Sequence, residues 1–488
     1  MSAVAKSLRD LLAGIADASD IRVSGLTLDS RRVRAGDAFI ALKGASAHGI
    51  TFAPAALAQG ASAVIAEGPA SAASLPADAP VMWIDGLRGQ VGEIAARFFD
   101  RPSAVLHVIG VTGTNGKTSI VQLLAAALQG LGARAATIGT LGAGLVGAIE
   151  SGERTTPDAI SAHGLLAQFR DAGASHVAME VSSHALDQGR VNAIDFEVAV
   201  FTNLTRDHLD YHGTMDAYGS AKAKLFAWPG LRAAVINADD AFGRELTASL
   251  PPGVQRLRYA MDADAEIRAR NVRTHGDGLS FDLLTPWGAG EIHSALLGRF
   301  NVYNLLAVAA CLGALGYAFA QIQNAISGLQ PVVGRMNRLG GGALPLVVVD
   351  YAHTPDALEQ ALTSLRAHCS GKLTCVFGCG GERDAGKRPQ MGAIAERLAD
   401  EIIVTDDNPR GEDGDAIVAQ IVAGLGDTRR ARVQRDRAAA IALALRAARA
   451  GDVVLIAGKG HEPYQEIGGI KRPFDDADIA RRTLEVYA

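Results

Sequence analysis

The segment AVLHVIGVTGTNGKTSIVQLLAAALQGLG, residues 104–132, constrains the fold of this chain more than any other stretch. An apolar strand pattern leads into a glycine-rich loop, and apolar residues at helical spacing follow. This order predicts a phosphate-binding loop between a strand and a helix of an α/β domain. The usual motif, G-x-x-x-x-G-K-[ST], needs a glycine at position 111, where a valine stands. The glycines at 110 and 113 give a loop of altered spacing.

The residues of this loop have distinct expected roles in binding ATP. Glycines let backbone N–H groups approach phosphate oxygens, and the helix N-terminus favours negative charge. Lys117 is expected near the β- and γ-phosphates, and the Thr118 hydroxyl is expected to bind Mg²⁺. A turn without a ligand is the alternative, and the strand–loop–helix context disfavours it. The predicted nucleotide contacts are Gly113, Thr114, Asn115, Gly116, Lys117, Thr118 and Ser119.

Composition excludes several classes of protein. The net charge of −5 gives no electrostatic reason to expect a nucleic-acid partner. Residues 1–20 mix charged and apolar residues, which predicts an amphipathic helix and not a signal peptide. The longest uncharged apolar run, residues 305–320, is shorter than the roughly 20 residues of a membrane span. We therefore expect a cytoplasmic protein without membrane insertion.

The cysteines support the same interpretation. Four cysteines in 488 residues are too few for a disulfide scaffold. Cys375 and Cys379 have loose metal-like spacing, but no second Cys/His pair lies near them in the sequence. Reduced thiols are favoured over a zinc site.

The order of strand and helix patterns predicts three α/β domains. Short apolar runs in residues 1–100 indicate a small α/β unit, and a proline-containing segment near residue 101 precedes a new strand. Residues 101–335 alternate strands and helices around the phosphate loop, with a hairpin-like stretch at 264–300. A proline- and glycine-rich segment precedes further βα units in residues 336–488. Ligands in such open sheets bind at the carboxyl ends of the strands.

Charged residues follow several of the predicted strands. Glu180 ends the apolar run SHVAME, where a carboxylate is suited to bind Mg²⁺. The next strand leads to a loop with Asp207, His208, Asp210 and His212, for which a metal role and a structural role are both open. Lys222 and Lys224 on the following helix would, by themselves, be read as solvated. A nucleotide-driven switch and an ATP-dependent ligase remain open, and sites for two further substrates would favour a ligase.

A family resemblance rests on motifs in a fixed order. The segments GVTGTNGKTS, MEVSSH, TNLTRDHLDYHG, GRFNVYN, GRM and DYAHTP run from residue 110 to residue 355. Their order resembles that of the Mur ligases of peptidoglycan synthesis, and the altered glycine spacing is similar to that of Mur and folylpolyglutamate ligases. The resemblance implies a central P-loop ATPase domain with a parallel sheet, a Rossmann-like C-terminal domain, and amide formation through an acyl phosphate.

The resemblance also implies site residues. Thr118, Glu180 and His208 resemble Mg²⁺ ligands, and Lys222 matches a lysine that the family carbamoylates. A carbamate is an anionic oxygen ligand, whereas a free ammonium group repels a metal ion. Asn301 resembles an adenine-side contact, and Asp350 a ribose contact. The implied catalytic residues are Lys117, Glu180, His208, Lys222 and Arg335.

Three C-terminal motifs indicate the amino acid substrate. GERDAGKRPQMG, DDNPRGED and AGKGHEPYQ resemble the members that add meso-diaminopimelate, whereas lysine-adding relatives lack the arginine of DNPR. Diaminopimelate has a second carboxylate, and a guanidinium group binds a carboxylate with two parallel hydrogen bonds. The residues carried over by motif are Arg383, Asp407, Asn408, Pro409, Arg410, Gly458 and Glu462.

The other substrate implied is UDP-N-acetylmuramoyl-L-alanyl-D-glutamate. By resemblance, Leu28, Ser30, Ala45, Ser46 and Ala47 contact the uridine side, and Thr155, Thr156, Ser182, Gln188 and Arg190 contact the sugar–peptide part. His48 and Arg154 depart from the family pattern, which often has aspartate and asparagine there. A folylpolyglutamate synthase is the alternative within the fold and should lack the DNPR and GKGHE motifs. We expect a monomer.

Overall fold

The computed structural model describes residues 5–44, 47–70, 79–152, 154–275 and 278–485. The chain divides into two compact units. The first unit contains Met1–Thr112, Ala133–Ala199 and Ala221–Arg232, and the second contains Gly113–Gly132, Val200–Ser220 and Ala233–Ala488. The predicted domain boundaries near residues 101 and 335 stay predictions.

The N-terminal part of the first unit is a four-stranded parallel sheet in the order β3-β4-β5-β6. Apolar side chains on both faces of this sheet are buried, as expected for parallel strands covered by helices. A two-stranded antiparallel pair precedes the sheet. The strands are β1 (Lys6–Ser7), β2 (Arg22–Val23), β3 (Gly25–Thr27), β4 (Asp37–Ala41), β5 (Ala63–Glu67) and β6 (Val81–Ile84), and the helices are α1 (Leu8–Leu11), α2 (Ala53–Ala58) and α3 (Leu87–Phe98).

The long amphipathic helix predicted for residues 1–20 is wrong within the described residues. Only the four residues of α1 are helical, because Lys6 and Ser7 pair as a strand with β2. Gly14 then adopts a φ of 73°, which glycine tolerates and which does not continue a helix. Leu8, Leu11 and Leu12 are nevertheless buried, so the apolar pattern correctly marked core residues.

The remainder of the first unit continues with strands in the order β10-β9-β8-β11-β7-β12. The pairs β8–β11 and β11–β7 are parallel, and β8, β9 and β10 form an antiparallel extension. Glu180 lies at the carboxyl end of β11. The elements are β7 (His107–Thr112), β8 (Ala135–Gly139), β9 (Gly142–Leu145), β10 (Ala148–Glu150), β11 (His176–Glu180), β12 (Phe196–Phe201), α5 (Ala159–Asp171) and α6 (Ser183–Asp187).

The second unit begins with the helix that follows the phosphate loop, α4 (Lys117–Gly130). Its strands follow the order β13-β14-β15-β16-β17, with parallel pairs from β13 to β15 and antiparallel pairs beyond. This confirms the hairpins predicted for residues 264–300. The elements are α7 (Leu209–His212), α8 (Met215–Ala223), β13 (Ala233–Asn237), α9 (Ala241–Ala248), β14 (Gln255–Ala260), β15 (Ile267–His275), β16 (Gly278–Thr285), β17 (Gly288–Ser294), α10 (Phe300–Ala314) and α11 (Phe319–Ser327).

Helix α10 contains most of the long apolar run of residues 305–320. Thirteen of its fifteen residues are buried, which makes it the core helix that was predicted. Among the helices that the structure describes, none is long and apolar enough to cross a membrane.

The C-terminal part of the second unit is a six-stranded sheet in the order β18-β19-β23-β20-β21-β22. Only β18 is antiparallel to its neighbour, and apolar clusters cover both faces of the sheet. The strands are β18 (Asn337–Gly340), β19 (Leu346–Asp350), β20 (Leu373–Phe377), β21 (Glu401–Val404), β22 (Ala431–Val433) and β23 (Val453–Ala457), followed by the hairpin β24 (Tyr464–Ile467) and β25 (Ile470–Pro473). The helices are α12 (Pro355–Arg366), α13 (Lys387–Leu398), α14 (Gly414–Val422), α15 (Arg437–Ala447) and α16 (Asp476–Glu485).

Candidate active site

The phosphate loop depends on glycine at two positions. Gly113 has a φ of 141° and Gly116 a φ of 87°, both in the region that favours glycine. A Cβ atom at Gly113 would lie 1.8 Å from Thr202 Oγ1, so no larger residue fits there. Lys117 Nζ donates hydrogen bonds to the Gly113 and Thr114 carbonyl oxygens, each at 2.8 Å. The loop therefore forms a compact turn that holds a lysine at the start of α4.

A cavity of about 310 Å³ lies beside this loop within the second unit. Arg335 Nη2 donates to Thr118 Oγ1 at 3.0 Å, and its guanidinium carbon lies 4.5 Å from the centroid of the Tyr351 ring. Asp350 Oδ2 accepts a hydrogen bond from the Met336 N–H at 2.7 Å. Burial raises the pKa of the Asp350 carboxyl, and Arg335 opposes that shift. The structure thus joins the GRM and DYAHTP motifs to the phosphate loop.

Asparagines connect α10 with the same cavity. Asn304 lines the cavity, and its Nδ2 donates to Asn301 Oδ1 at 2.7 Å. Asn301 itself is buried and donates to the Leu297 carbonyl oxygen at 2.7 Å. A nucleotide contact was predicted for Asn301 but not for Asn304, although both stand in the GRFNVYN motif. Helical spacing of three residues, which places both on one face of α10, could have indicated Asn304.

Asn115 links the phosphate loop to helix α12. Its Nδ2 donates to Asp356 Oδ2 at 2.8 Å, and Asp356 also lines the cavity. Burial raises the pKa of the Asp356 carboxyl, opposed by this hydrogen bond. Asp356 follows the DYAHTP motif directly, but nothing in its sequence position pointed to the phosphate loop.

The histidine-containing loop gives His208 a strained backbone. Its φ is 54°, its side chain is 44% exposed, and its Nε2 lies 3.5 Å from Asp207 Oδ2. Within the described parts of the chain, no group of three or more His, Cys, Asp or Glu side chains is arranged to hold a metal ion. The Mg²⁺ role of His208 stays a prediction.

The cysteines singled out in the sequence are buried thiols. Burial raises the pKa of Cys379 to about 12 and also raises the pKa of Cys375. Both therefore remain protonated at neutral pH, as expected for structural cysteines.

Glu180 and Lys222 belong to the first unit, whereas Thr118 and His208 belong to the second. Glu180 is 1% exposed, and it accepts hydrogen bonds from the Thr140 N–H at 2.8 Å and the Thr140 hydroxyl at 3.2 Å. A Cβ atom at position 139 would lie 2.4 Å from Glu180 Oε1, so Gly139 leaves room for the carboxylate. Glu180 is therefore a buried carboxylate at the end of β11.

Two lysines of one segment have different environments. Lys222 is 1% exposed, so the expectation of a solvated side chain, which came from its position on the helix alone, is wrong for Lys222. Lys224 is exposed, and its Nζ forms an ion pair with Asp187 Oδ1 at 3.0 Å. The expectation of a solvated side chain is therefore correct for Lys224. Lys222 lies near the end of α8, and Lys224 begins the following 3₁₀ turn. Burying a lysine is costly, which makes Lys222 a candidate functional residue.

A second cavity, of about 1010 Å³, lies within the first unit. The predicted residues Leu28, Ser30 and Ala47 line it, whereas Ala45 and Ser46 lie outside the described residues. Basic side chains line it as well, which suits an anionic ligand such as a diphosphate. The cationic residues are Arg31, Arg32, Lys43, Arg88 and Arg154.

The two departures from the family pattern have a structural account. His48 Nδ1 accepts a hydrogen bond from the Ile50 N–H at 3.0 Å, which caps the 3₁₀ helix Gly49–Phe52. An aspartate would cap a helix start in the same way, so the substitution preserves that local role. Arg154 lines the large cavity and adds a positive charge to it.

The residues expected to contact the sugar–peptide part form one hydrogen-bonded group in the first unit. Arg190 Nη1 donates to the Thr156 carbonyl oxygen at 3.1 Å, and its Nε donates to Gln188 Oε1 at 2.9 Å. The Thr156 hydroxyl lies 3.3 Å from Ser182 Oγ and donates to the Glu180 carbonyl oxygen at 2.8 Å. Thr155 Oγ1 lies 3.0 Å from Thr140 Oγ1. The predicted contacts therefore lie beside Glu180.

A third group forms in the second unit, in the loops after β20, β21 and β23. Arg410 Nη1 donates to the Gly381 carbonyl oxygen at 2.7 Å, which joins the DNPR loop to the GERD loop. Asn408 Nδ2 donates to Glu462 Oε2 at 2.8 Å, which joins the DNPR loop to the GKGHE loop. A Cβ atom at Gly458 would lie 2.4 Å from Asp407 Oδ2. Acidic, basic and amide groups thus converge at the carboxyl ends of parallel strands.

Several polar residues of this group were missed from the sequence. Glu466 N–H donates to Asn408 Oδ1, and the Glu466 carbonyl oxygen accepts from the Arg410 N–H at 3.0 Å. Arg388 is 1% exposed and binds Glu412 through two hydrogen bonds of 2.7 Å each. Lys459 is fully buried between Asn408 and Glu462. Lys459 and Glu412 stand within the motifs AGKGHEPYQ and DDNPRGED, so the sequence could have indicated them. Their hydrogen-bond partners could be identified only from the tertiary structure.

Sequence comparisons agree with this architecture. Profiles described as the Mur ligase middle domain, the Mur ligase glutamate ligase domain and the Mur ligase family catalytic domain match residues 111–312, 334–460 and 22–99. The chain belongs to the Mur ligase family, with its three-domain α/β architecture.

Individual relatives are described more specifically than by the family alone. The chain is 60% identical over 483 residues to the UDP-N-acetylmuramoyl-L-alanyl-D-glutamate–2,6-diaminopimelate ligase of Xanthomonas campestris pv. campestris (strain 8004), covering 98% of this chain and 97% of the relative. It is 53% identical over 469 residues to the ligase of the same description from Pseudomonas aeruginosa, covering 96% of each. A solved structure of that description matches with a TM-score of 0.72 and 38% identity over 99% of both chains.

Proposed function

We propose that this chain is an ATP-dependent ligase that adds meso-diaminopimelate to UDP-N-acetylmuramoyl-L-alanyl-D-glutamate in peptidoglycan precursor synthesis. The observation that carries the proposal is the group formed by Arg410, Asp407, Asn408 and Glu462. The cation suits the distal carboxylate of diaminopimelate, and the two acids suit its distal ammonium group. The cavity of the first unit suits the UDP-linked substrate, and the cavity beside the phosphate loop suits ATP.

The proposed reaction has two steps. The side-chain carboxylate of the D-glutamyl residue attacks the γ-phosphorus of ATP, which forms an acyl phosphate and releases ADP. The unprotonated amine of diaminopimelate then attacks the acyl carbon, so that an amide bond forms, inorganic phosphate leaves and the amine loses a proton. Lys117 and Arg335 offset the negative charge that develops on the phosphoryl oxygens. Asn301 and Asp350 orient the nucleotide.

Mg²⁺ is the metal that this chemistry implies. In the second unit, the Thr118 hydroxyl is an oxygen donor of the type that Mg²⁺ prefers, and His208 is a further proposed ligand. In the first unit, the buried Glu180 carboxylate is a donor of the same type. When bound, Mg²⁺ neutralises phosphate charge during transfer. We propose that Lys222 is carbamoylated, because its side chain is buried and matches a lysine that the family carbamoylates; the amine adds carbon dioxide and releases a proton, which gives an anionic oxygen ligand.

A direct assay tests the proposed substrate. Release of ADP and phosphate is measured with ATP, Mg²⁺ and the UDP-linked dipeptide while the added amine is meso-diaminopimelate, L-lysine or none. We expect turnover that depends on the dipeptide and is strongest with diaminopimelate. ATP hydrolysis without either substrate would instead favour a nucleotide-driven switch, and turnover with a folate and glutamate would favour a folylpolyglutamate synthase.

Intact-mass measurement of rapidly handled protein tests the modification of Lys222. We expect an added mass of one carbon dioxide in wild type and none in Lys222→Ala. The variant should keep its fold, because alanine suits a helix, but it should lose ligase activity. Lys224→Ala is the matched control from the same segment and should retain activity, because its lysine is exposed. Normal turnover of Lys222→Ala would exclude a ligand role.

We propose that the active form is a monomer in the cytoplasm, as the resemblance to the Mur ligases suggests.

A further inference from the structure

A fully buried lysine lies among the residues proposed to bind the amino acid. Lys459 follows Gly458, and its side chain is 0% exposed. Its Nζ donates to Asn408 Oδ1 at 3.0 Å and to Glu462 Oε2 at 3.1 Å. A buried ammonium group is costly unless it is paired and hydrogen-bonded. Both acceptors that compensate this cost are proposed substrate ligands.

The orientation of the Asn408 amide follows from its neighbours. Its Oδ1 accepts from Lys459 Nζ and from the Glu466 N–H at 2.9 Å. Both neighbours are donors, so the oxygen of the amide must face them. The Nδ2 group then points to Glu462 Oε2, to which it donates at 2.8 Å. Lys459 and the Glu466 N–H together fix which end of Asn408 meets Glu462.

The Glu462 carboxylate is held from one side. Its Oε2 accepts from both Asn408 Nδ2 and Lys459 Nζ. Within the described residues no hydrogen bond reaches the other oxygen, Oε1, and the side chain is 19% exposed. A carboxylate held through one oxygen presents the other in a defined direction, which suits an incoming ammonium group.

We propose that Lys459 is a positioning residue that, together with Asn408, fixes Glu462 to accept the distal ammonium group of the amino acid substrate. The proposal rests on the proposed function and adds a residue to that site. Lys459 itself need not touch the substrate. Its positive charge pairs with the partly exposed Glu462 and lies near the buried Asp407, the two acids proposed to receive the substrate's ammonium group.

The electrostatics of the neighbouring acid agree with this role. Burial raises the pKa of the Asp407 carboxyl, and Arg437 and Lys459 oppose that shift. Glu462 and Asp476 face the same carboxyl and raise its pKa further. Removal of the Lys459 charge would therefore favour the protonated form of Asp407, which binds an ammonium group less well.

The test compares two amines that differ only at the distal ammonium group. Meso-diaminopimelate has this group, whereas 2-aminopimelate lacks it and keeps the distal carboxylate. Lys459→Met keeps the length of the side chain and removes its charge. We expect the KM for diaminopimelate to rise about 10- to 100-fold, the range for losing hydrogen bonds to a charged group. The KM for 2-aminopimelate, which keeps the attacking amine, should change less than about twofold, as should the KM values for ATP and the UDP-linked dipeptide.

Lys471→Met is the matched control. Lys471 is exposed on β25, and its Nζ lies 4.4 Å from the centroid of the same Tyr464 ring that Lys459 approaches at 5.4 Å. Its removal should leave both amine constants unchanged. Equal losses for the two amines in Lys459→Met would indicate a general structural role and would overturn the proposal, as would unchanged binding of diaminopimelate.

A double-mutant cycle makes the test independent of one variant. Glu462→Gln should itself weaken diaminopimelate, and adding Lys459→Met should weaken it little further if the lysine acts through Glu462. Additive losses would contradict that coupling. If Lys459→Met does not fold, as judged by its melting temperature, Lys459→Gln replaces it in the cycle, because glutamine retains a donor without charge. If the wild-type protein shows no turnover that depends on diaminopimelate, the proposed function itself is refuted. Failure of the Lys459 variants alone would refute only the positioning role.

Discussion

Arg410 is the residue on which the choice of amino acid substrate depends most directly. Its φ of 56° is unfavourable for any residue with a Cβ atom, and backbone hydrogen bonds to the hairpin β24–β25 hold it there. The Arg410 N–H donates to the Glu466 carbonyl oxygen at 3.0 Å, and the Gly468 N–H donates to the Arg410 carbonyl oxygen at 2.7 Å. Arg410→Ala keeps the Cβ atom and the backbone strain, so it removes the guanidinium group with little change in the folded backbone.

The size of the effect follows from the surroundings of the guanidinium group. Its side chain is 20% exposed, one N–H donates to the Gly381 carbonyl oxygen, and Glu466 Oε2 lies 3.9 Å from Nε. The remaining donors can bind a carboxylate in the bidentate manner. Loss of one partner of a buried charge pair costs about 2–5 kcal/mol. Because the site is partly exposed, we expect the lower half of that range, a fall of about 30- to 300-fold in kcat/KM for diaminopimelate.

Steady-state kinetics with diaminopimelate and lysine test this expectation. The KM values for ATP and the UDP-linked dipeptide should change little, and lysine should not become a good substrate, because loss of a cation does not create a site for an ammonium end. Arg410→Lys should also be impaired, because an ammonium group lacks the planar fork. Arg429→Ala is the control, since that side chain is 89% exposed. An unchanged kcat/KM for diaminopimelate in Arg410→Ala would refute the reasoning.

Further substitutions test other parts of the structure. Glu180→Gln should lower the ligase rate by orders of magnitude with little change in melting temperature; a rate within a few-fold of wild type across Mg²⁺ concentrations would exclude a metal role. Gly113→Ala should abolish ATP binding in a calorimetric titration, because its Cβ atom would collide with Thr202, whereas Gly130→Ala, with open space around it, should bind normally. The Arg388 hydrogen bond lowers the pKa of Glu412 from 4.5 to about 2. Its stabilisation is present above pH 4.5 and is lost as the pH falls toward 2, so Glu412→Gln should reduce the free energy of unfolding at pH 7 and progressively less toward pH 3. A pH-independent difference in denaturant titrations would contradict this.

Much of the fold could be predicted from local patterns in the sequence. Continuous apolar runs such as residues 373–377 and 453–457 are parallel strands buried on both faces, and their pattern arises from that burial. The phosphate loop was predictable because its turn requires residues with positive φ, a conformation that glycine adopts without strain. The helix predicted at residues 1–20 was wrong because pairing with β2, a contact distant in sequence, competes with helical propensity.

The sequence by itself determined the class of protein and most of the proposed site, because the phosphate loop and the motifs after the strands are local patterns of residue types. Burial and pairing across the sheet were decided only by the tertiary structure. No local signal distinguishes buried Lys222 from exposed Lys224, or makes Lys459 a partner of Asn408, 51 residues away in sequence. The chemistry of these lysines depends on which polar groups surround them after folding, and the loops that supply those groups meet only because parallel strands bring their carboxyl ends to one edge of the sheet.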